Sequence, residues 1–419
     1  MTDGAVETDQ IRPPAVLPPR LTRRGIPTDP TLRVLALATF VNRAGTGAST
    51  TTFALFFTQK AGLAATDVGL VLSVGAVLAM LAQVPLGHLG DTRGPRETMR
   101  ALTVAAGAVL LGLLVARSLW AVMVVMSLAT VLMSGNSAVR NGYIARVATG
   151  GRGVMFKAYL RAVTNVAMSL GAALGGLALL LDQTWAYLAV FALDGVSGIA
   201  TGLLCSRLPH LAPAPARAAG EPRLAVLRDR PFVVVTLLNG VVAMHFVVMT
   251  LAIPLWIAAH TEAPTSMVAV LLVLNTVAVA VFQVRLTRGA DDVMSSARAM
   301  VIGCGWIAAG FVVMSFSSGT SAAVAVVLLV LGAAIHVVGE MVSSGGQWGI
   351  SMGLAPDDRQ GQYQGFAGLG FSISNVVAPT LIALLCIEWG RPGWWVMGGL
   401  VLGAGLLLVP ASRWALRTR

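Results

Sequence analysis

Charge is scarce in this chain. Asp, Glu, Lys and Arg make up 11% of its 419 residues, against about a quarter in an ordinary soluble domain. Lysine occurs only at Lys60 and Lys157. The three cysteines, Cys205, Cys304 and Cys386, lie in or at the ends of apolar stretches. They make neither a disulfide framework nor a metal spacing, and are expected to be small buried fillers. The five histidines show no zinc pattern. No glycine–lysine phosphate loop is present, which argues against ATP hydrolysis. Gly150-Gly151-Arg152-Gly153 is glycine-rich but follows no strand and reads as a turn. No nucleophile, metal set or acid pair has convincing enzymatic spacing, and no cofactor is implied. The net charge of +11 does not read as a nucleic-acid footprint. The basic residues are not interleaved with aromatics on a soluble patch; they sit in short connections between apolar runs.

Those runs dominate: 56% of the chain is hydrophobic. A membrane-crossing helix needs roughly 20 mostly apolar residues, and twelve stretches are predicted to qualify. They cover 32–57, 68–89, 99–116, 119–141, 155–181, 185–204, 232–257, 265–286, 297–316, 322–344, 363–387 and 394–408. The expected organisation is a proline-rich disordered tail (1–31), a six-helix bundle (32–206), a basic linker (207–230), a second six-helix bundle (231–410) and a short tail (411–419). An even count puts both termini on one side. The two tails and the even-to-odd connections hold 25 of the 29 Lys and Arg, whereas the opposite connections hold Lys60, Arg117 and Arg391. That imbalance places both termini in the cytoplasm. The halves also echo each other. Gln83-Val84-Pro85-Leu86 closes span two and Gln283-Val284-Arg285-Leu286 closes span eight; Thr164-Asn165-Val166 and Ser374-Asn375-Val376 sit in spans five and eleven. Two such halves can rock against each other around a central site.

The loop between spans two and three reads Gly87-His88-Leu89-Gly90-Asp91-Thr92-Arg93-Gly94-Pro95-Arg96. In this setting it resembles the signature between helices two and three of the major facilitator superfamily. Gly87, Asp91, Gly94 and Arg96 match. Thr92 stands where a basic residue is usual, with Arg93 in its place, and Pro95 replaces another basic position. The resemblance covers essentially the whole chain. It implies an all-α membrane protein of 12 transmembrane helices in two six-helix pseudo-repeats, with a central cavity lined by spans one, four, seven and ten. In this reading Gly87, Asp91, Arg93, Gly94 and Arg96 form a gating loop. Asp91 can accept hydrogen bonds from Arg93 or Arg96, or face the positive N-terminus of a neighbouring helix. Span five, with Gly171-Ala172-Ala173-Leu174-Gly175-Gly176, resembles the glycine-rich motif of the superfamily's drug:proton antiporters, lacking its usual proline at Ala172. Gly171, Gly175 and Gly176 are also expected at a close helix–helix contact. An arginine early in helix four is missing, and Arg140 lies at that helix's cytoplasmic end instead.

Ionisable groups inside lipid are costly and face a bundle interior or water. Arg43, Asp194, His245, His336 and Glu340 stand out. His336 and Glu340 are four apart and share a helix face. Glu340 is expected to be the proton acceptor, modulated by His245 or His336. Asn42, Arg43 and Asn239 are expected in the substrate cavity, with Arg43 able to hold an anionic group or to pair with Asp194. Asn275 and Gln283 are expected to hydrogen-bond across helices. The leading expectation is an exporter of small amphipathic or drug-like molecules in exchange for protons, acting as a monomer in the lipid bilayer. A symporter or uniporter importing a small, anionic nutrient is the alternative, and a non-transporting sensor the third. Lysine-poor, alanine-, arginine- and glycine-rich usage points to a high-GC bacterial source and so to an inner membrane.

Overall fold

The computed structural model describes residues 27–148, 151–215 and 224–418. Twelve long helices fill them: α1 (Pro30–Leu55), α2 (Ala65–Arg93), α3 (Pro95–Leu114), α4 (Leu119–Val147), α5 (Gly151–Leu181), α6 (Thr184–Cys205), α7 (Arg230–His260), α8 (Met267–Leu286), α9 (Val293–Ser315), α10 (Ala322–Leu354), α11 (Asp357–Glu388) and α12 (Arg391–Arg417). All but α1 are long and apolar enough to cross a membrane. Helix α1 has the length but carries Asn42, Arg43, Thr46 and four consecutive hydroxyl residues from Ser49 to Thr52. It is polar because it lines the central cavity described below.

Local chemistry sets the helix ends. Asp29 caps α1 by accepting the N–H groups of Thr31 (2.7 Å) and Leu32 (3.3 Å), with Pro30 at the first helical position. Asp292 caps α9 through Met294 and Ser295. Gly94 turns α2 into α3 at φ +94°, a conformation that favours glycine, and Pro95 restarts the helix. Helix α7 is irregular: a wide turn, Val248–Ala252, follows His245. Pro254, just beyond, has no N–H for the carbonyl four residues back.

The two halves have matching packing. Within the first, α1 packs on α5 and α6, α2 on α4, and α3 on α4 and α6; within the second, α7 packs on α11 and α12, α8 on α10, and α9 on α10 and α12. Contacts between halves obey the same symmetry: α2 and α4 meet α11, as α8 and α10 meet α5. Small residues let these backbones approach where lipid supplies no hydrophobic drive. Gly107 lies against Gly195, and Gly303 against Gly339. Leu81, Leu177, Val273, Val327 and Leu406 are among many large apolar side chains left on the outer surface, as suits contact with hydrocarbon. The cores differ, however. The second half has one large apolar cluster running along its helices and a small one around Val279, Val337 and Met341. The first has two main ones, around Tyr143 and Phe156 and around Phe56 and Phe191, at opposite ends of its helices.

Several sequence expectations are corrected. Helix α2 runs through Arg93, so the signature loop reduces to Gly94 between two helices. Gly151, Arg152 and Gly153 open α5 rather than forming a turn. Helix α12 continues to Arg417, past the tail expected at 411; Arg413 and Arg417 suit the negative end of a helix. The linker's described beginning is folded onto the first half: the carbonyls of Leu208, Pro209 and Ala212 accept from Arg96, Tyr143 and Arg146. The tail expectation for 1–26 and linker residues 216–223 lie outside the described residues.

Candidate functional site

A cavity of about 1340 Å³ lies between the halves. It takes Asn42, Arg43, Thr46 and Ser49 from α1, and Asn239 and Phe246 from α7. Asn42, Arg43 and Asn239, expected from the sequence in a substrate cavity, thus line this space. Four cations line it, Arg43, Arg140, Lys157 and Arg161, with Asp194 as the acid. The charge tally counts Arg140, Lys157 and Arg161 with the cytoplasmic connection, although they fall within the ends of spans four and five. Lys157 and Arg161 are in fact on consecutive turns of α5, and Arg140 is two turns inside α4. Their signal was spacing: positions 157, 161 and 165 form a polar i, i+4, i+8 stripe.

Asp194 is held by α1. Thr46 donates to its Oδ1 at 3.3 Å, and Ser49 also bonds its carboxylate. Arg43 attracts it from a distance. No ion pair within 4.0 Å joins them among the described residues.

Behind the cavity lies a buried cluster that spans both halves. Glu340 is 3% exposed. Its Oε1 pairs with Arg161 from α5, and its Oε2 accepts from Asn275 of α8 at 2.9 Å. Arg161 also donates to Ser344 at 2.5 Å and lies over the Phe246 ring. His336 Nδ1 is 3.9 Å from Oε2 without a hydrogen bond, while His336 Nε2 meets His245 Nδ1 at 3.3 Å. The rings thus continue from the carboxylate into α7 at its irregular turn. Glu340, His245 and His336 do not line the cavity; Arg161 is the group that touches both. Donor atoms of the three lie within 4.8 Å of one another, a set chemically able to hold a divalent ion. The oxygen that faces His336, Oε2, already accepts from Asn275, so a metal held with the histidines would compete with that amide beside the Arg161 guanidinium on Oε1.

The halves are sealed at the face that carries the linker. Asp91 accepts the N–H groups of Gly361 and Gln362, both at 2.8 Å, at the start of α11. Its partner is the helix N-terminus. Arg96 turns to Glu97 and Leu208 instead, and among the described residues Arg93 has no ion pair with Asp91. Gly87 and Gly142 crowd the backbone at Gly361, and Gln83 donates to Ser372 across the interface at 3.0 Å. A matching contact stands on the other side of the pseudo-axis, where the Asp291 carboxylate lies against Gly151 at the start of α5. Asp291 was missed, yet it follows Gln283 at the spacing by which Asp91 follows Gln83. At the opposite face the end turns Phe56–Lys60 and Ala383–Glu388 find their main packing within their own halves, and the cavity extends that way past Thr50, Phe53 and Leu72. In the glycine motif, Gly171 and Gly175 meet Ala44 and Ala48 of α1, whereas a Cβ added at Gly176 would point into open space.

One prediction arises at the seal. A methyl group on Gly361 would meet the Gly87 carbonyl and stand 2.8 Å from Asp91 Oδ1. Gly361→Ala is expected to part α2 from α11. A cysteine at Ser137, in a background free of native cysteines, should then react faster with an impermeant maleimide applied to the linker face. An unchanged rate would show that the glycine contact does not hold the seal.

Comparison with known proteins agrees with this architecture. The model of the Major Facilitator Superfamily matches residues 35–347. A Deinococcus radiodurans protein named "Putative sugar efflux transporter" is 30% identical over 200 residues, 46% of this chain and 48% of that one. The chain thus spans about half the length of the curated relative it matches. Among solved structures, a bacterial homologue of the iron transporter ferroportin superposes with a TM-score of 0.70 at 17% identity, over 93% of this chain and 100% of that one. The human organic anion transporter MFSD10 gives 0.64 at 16% identity, over 91% and 100%. At these identities the two structures share the fold alone.

Proposed function

The chain belongs to the Major Facilitator Superfamily, and on that premise we propose that it is a proton-coupled secondary transporter working by alternating access. The supporting observation is the Glu340–Arg161 bridge. It ties α10 of one half to α5 of the other through a titratable group, and a proton on Glu340 would remove the charge that holds Arg161. His336 and His245 form the route by which that proton is exchanged or stabilised. Asp91 latches the linker face and releases it when the halves rock. The charge imbalance supports a cytoplasmic location for that face and both termini, and the lysine-poor, alanine- and arginine-rich usage supports a bacterial inner membrane; in this reading the conformation described is closed inward and open outward. Both walls of the cavity come from one chain, and a monomer suffices.

Direction separates two readings. For export of small amphipathic or drug-like molecules in exchange for protons, the direction is supported by the Deinococcus radiodurans relative, named for sugar efflux, and the amphipathic cargo by apolar wall residues such as Phe53, Met126 and Phe371. Import of an acid together with a proton is supported by Arg161, which a protonated Glu340 would free for an anion in the cavity. Flux of a compound panel into and out of proteoliposomes, under pH gradients of both signs, tests the proposal. Gradient-driven movement is expected, and its sign selects the reading. If no compound moves under either gradient beyond protein-free vesicles, the transport proposal fails.

A further inference from the structure

The cavity's charge is concentrated at one end. Arg140 is seven residues, and Lys157 six, from the linker-face ends of their helices, about 10 Å inside at 1.5 Å per residue. Arg43 stands near mid-depth on α1. Arg140 is close enough to repel both Arg43 and Lys157. Among the described residues none of the three has a carboxylate within 4.0 Å. Among the described residues the Nε atoms of Arg43 and Arg140 are buried without a hydrogen-bond partner, and Lys157 lies over the face of Trp348, 5.5 Å away. Asp194 offsets Arg43 in part, and Glu340 offsets Arg161; Arg140 and Lys157 are left uncompensated. Toward the open end the wall changes character, with Phe53, Leu72 and Met126.

Like charges gathered at membrane depth without counter-ions are strongly unfavourable. An anion arriving from the open side would relieve all three at once and take up their unused donors. We infer that the cavity takes an amphipathic organic anion, its acidic head among Arg43, Arg140 and Lys157 and its apolar body against the outer wall. The inference rests on the transporter reading for its use, but not for its binding chemistry. An amphipathic cation would enter a field of the wrong sign. A neutral sugar would leave the repulsion in place. An inorganic anion would satisfy the head and leave the apolar wall unused.

The test is calorimetric binding to the purified full-length protein, with probes of one shape: 2-naphthoate, neutral 2-naphthamide and cationic 2-naphthylmethylamine, plus inorganic phosphate. Naphthoate is expected to bind at least about tenfold more tightly than the amide, with the amine and phosphate weaker still. Arg140→Gln and Lys157→Met should each remove that preference, and Lys157→Arg should keep it. No naphthoate binding, or equal affinity for acid and amide, overturns the inference in the wild-type protein alone, whatever the variants do. Phosphate binding as tightly as naphthoate also overturns it, leaving a bare anion site. Naphthoate that binds selectively but does not move in proteoliposomes would sink the transport reading and leave this one standing. Gradient-driven flux without acid preference would do the reverse.

Discussion

Glu340→Gln is expected to abolish uphill transport while sparing downhill exchange. A gradient of about one pH unit supplies about 1.4 kcal/mol per proton, enough for roughly tenfold accumulation of a solute coupled to one proton. The wild-type protein should approach that ratio in proteoliposomes, and the glutamine variant should stay near unity. Glutamine keeps the shape and the Asn275 contact but fixes the group in its uncharged form, so counterflow under equal pH should survive. A fixed structural ion pair predicts something else: loss of stability with coupling intact. Arg161→Met separates the two further. Removing one partner of a buried pair costs about 3–5 kcal/mol because the other charge is stranded. The double variant, with both charges gone, should therefore be more stable than Arg161→Met alone. Retained accumulation in Glu340→Gln would remove Glu340 from the proton path.

Asp91→Asn is expected to open the linker face. Its carboxylate accepts two N–H groups of α11 at 2.8 Å and faces that helix's positive end. Hydrogen bonds to a charged group are worth about 1.5–3 kcal/mol each. The amide keeps one acceptor and turns an NH₂ toward a donor, so about 2–4 kcal/mol of closure should be lost, shifting the balance of states by roughly 30- to 1000-fold. Spin labels at Arg100 and Arg298, exposed near the linker-face ends of α3 and α9, report the distance between halves. A longer, dominant distance is expected in the variant. An unaltered distribution would mean that the glycine contacts hold the seal without Asp91.

The fold was legible because lipid imposes a simple rule: long apolar runs, with charge in the gaps. The rule fails where a helix faces water inside the bundle. Helix α1 is polar for that reason. Arg140, Lys157 and Arg161 were read as orientation signals because each lies near the end of an apolar run, and hydropathy cannot tell a solvated turn from a cavity wall. The stripe at 157, 161 and 165 was the clue to a single wet face. Arg161 as the partner of Glu340 was beyond the sequence, since no local pattern pairs α5 with α10. Asp91 was found through its motif, but its acceptor role toward α11 needed the packing of two halves far apart in sequence. Asp291 lies on a readable signal: the internal repeat quoted as Gln283–Leu286 reaches it five residues further on. Small residues mark close contacts without naming the face, so Gly171 and Gly175 were placed correctly and Gly176 was not.

The contrast between the two cores gives lobes of one topology unlike mechanical characters. The C-terminal lobe is knit chiefly by one large apolar cluster that runs from face to face, and close-packed interiors transmit strain rather than absorb it. The N-terminal lobe is banded: apolar matter at each end, and between them a layer of Thr46, Ser49, Asp194 and Ser197, whose bonds can be traded for water. Bending is cheapest across such a seam. If the clamshell changes shape, the banded valve is expected to act as the spring and the other as the anvil.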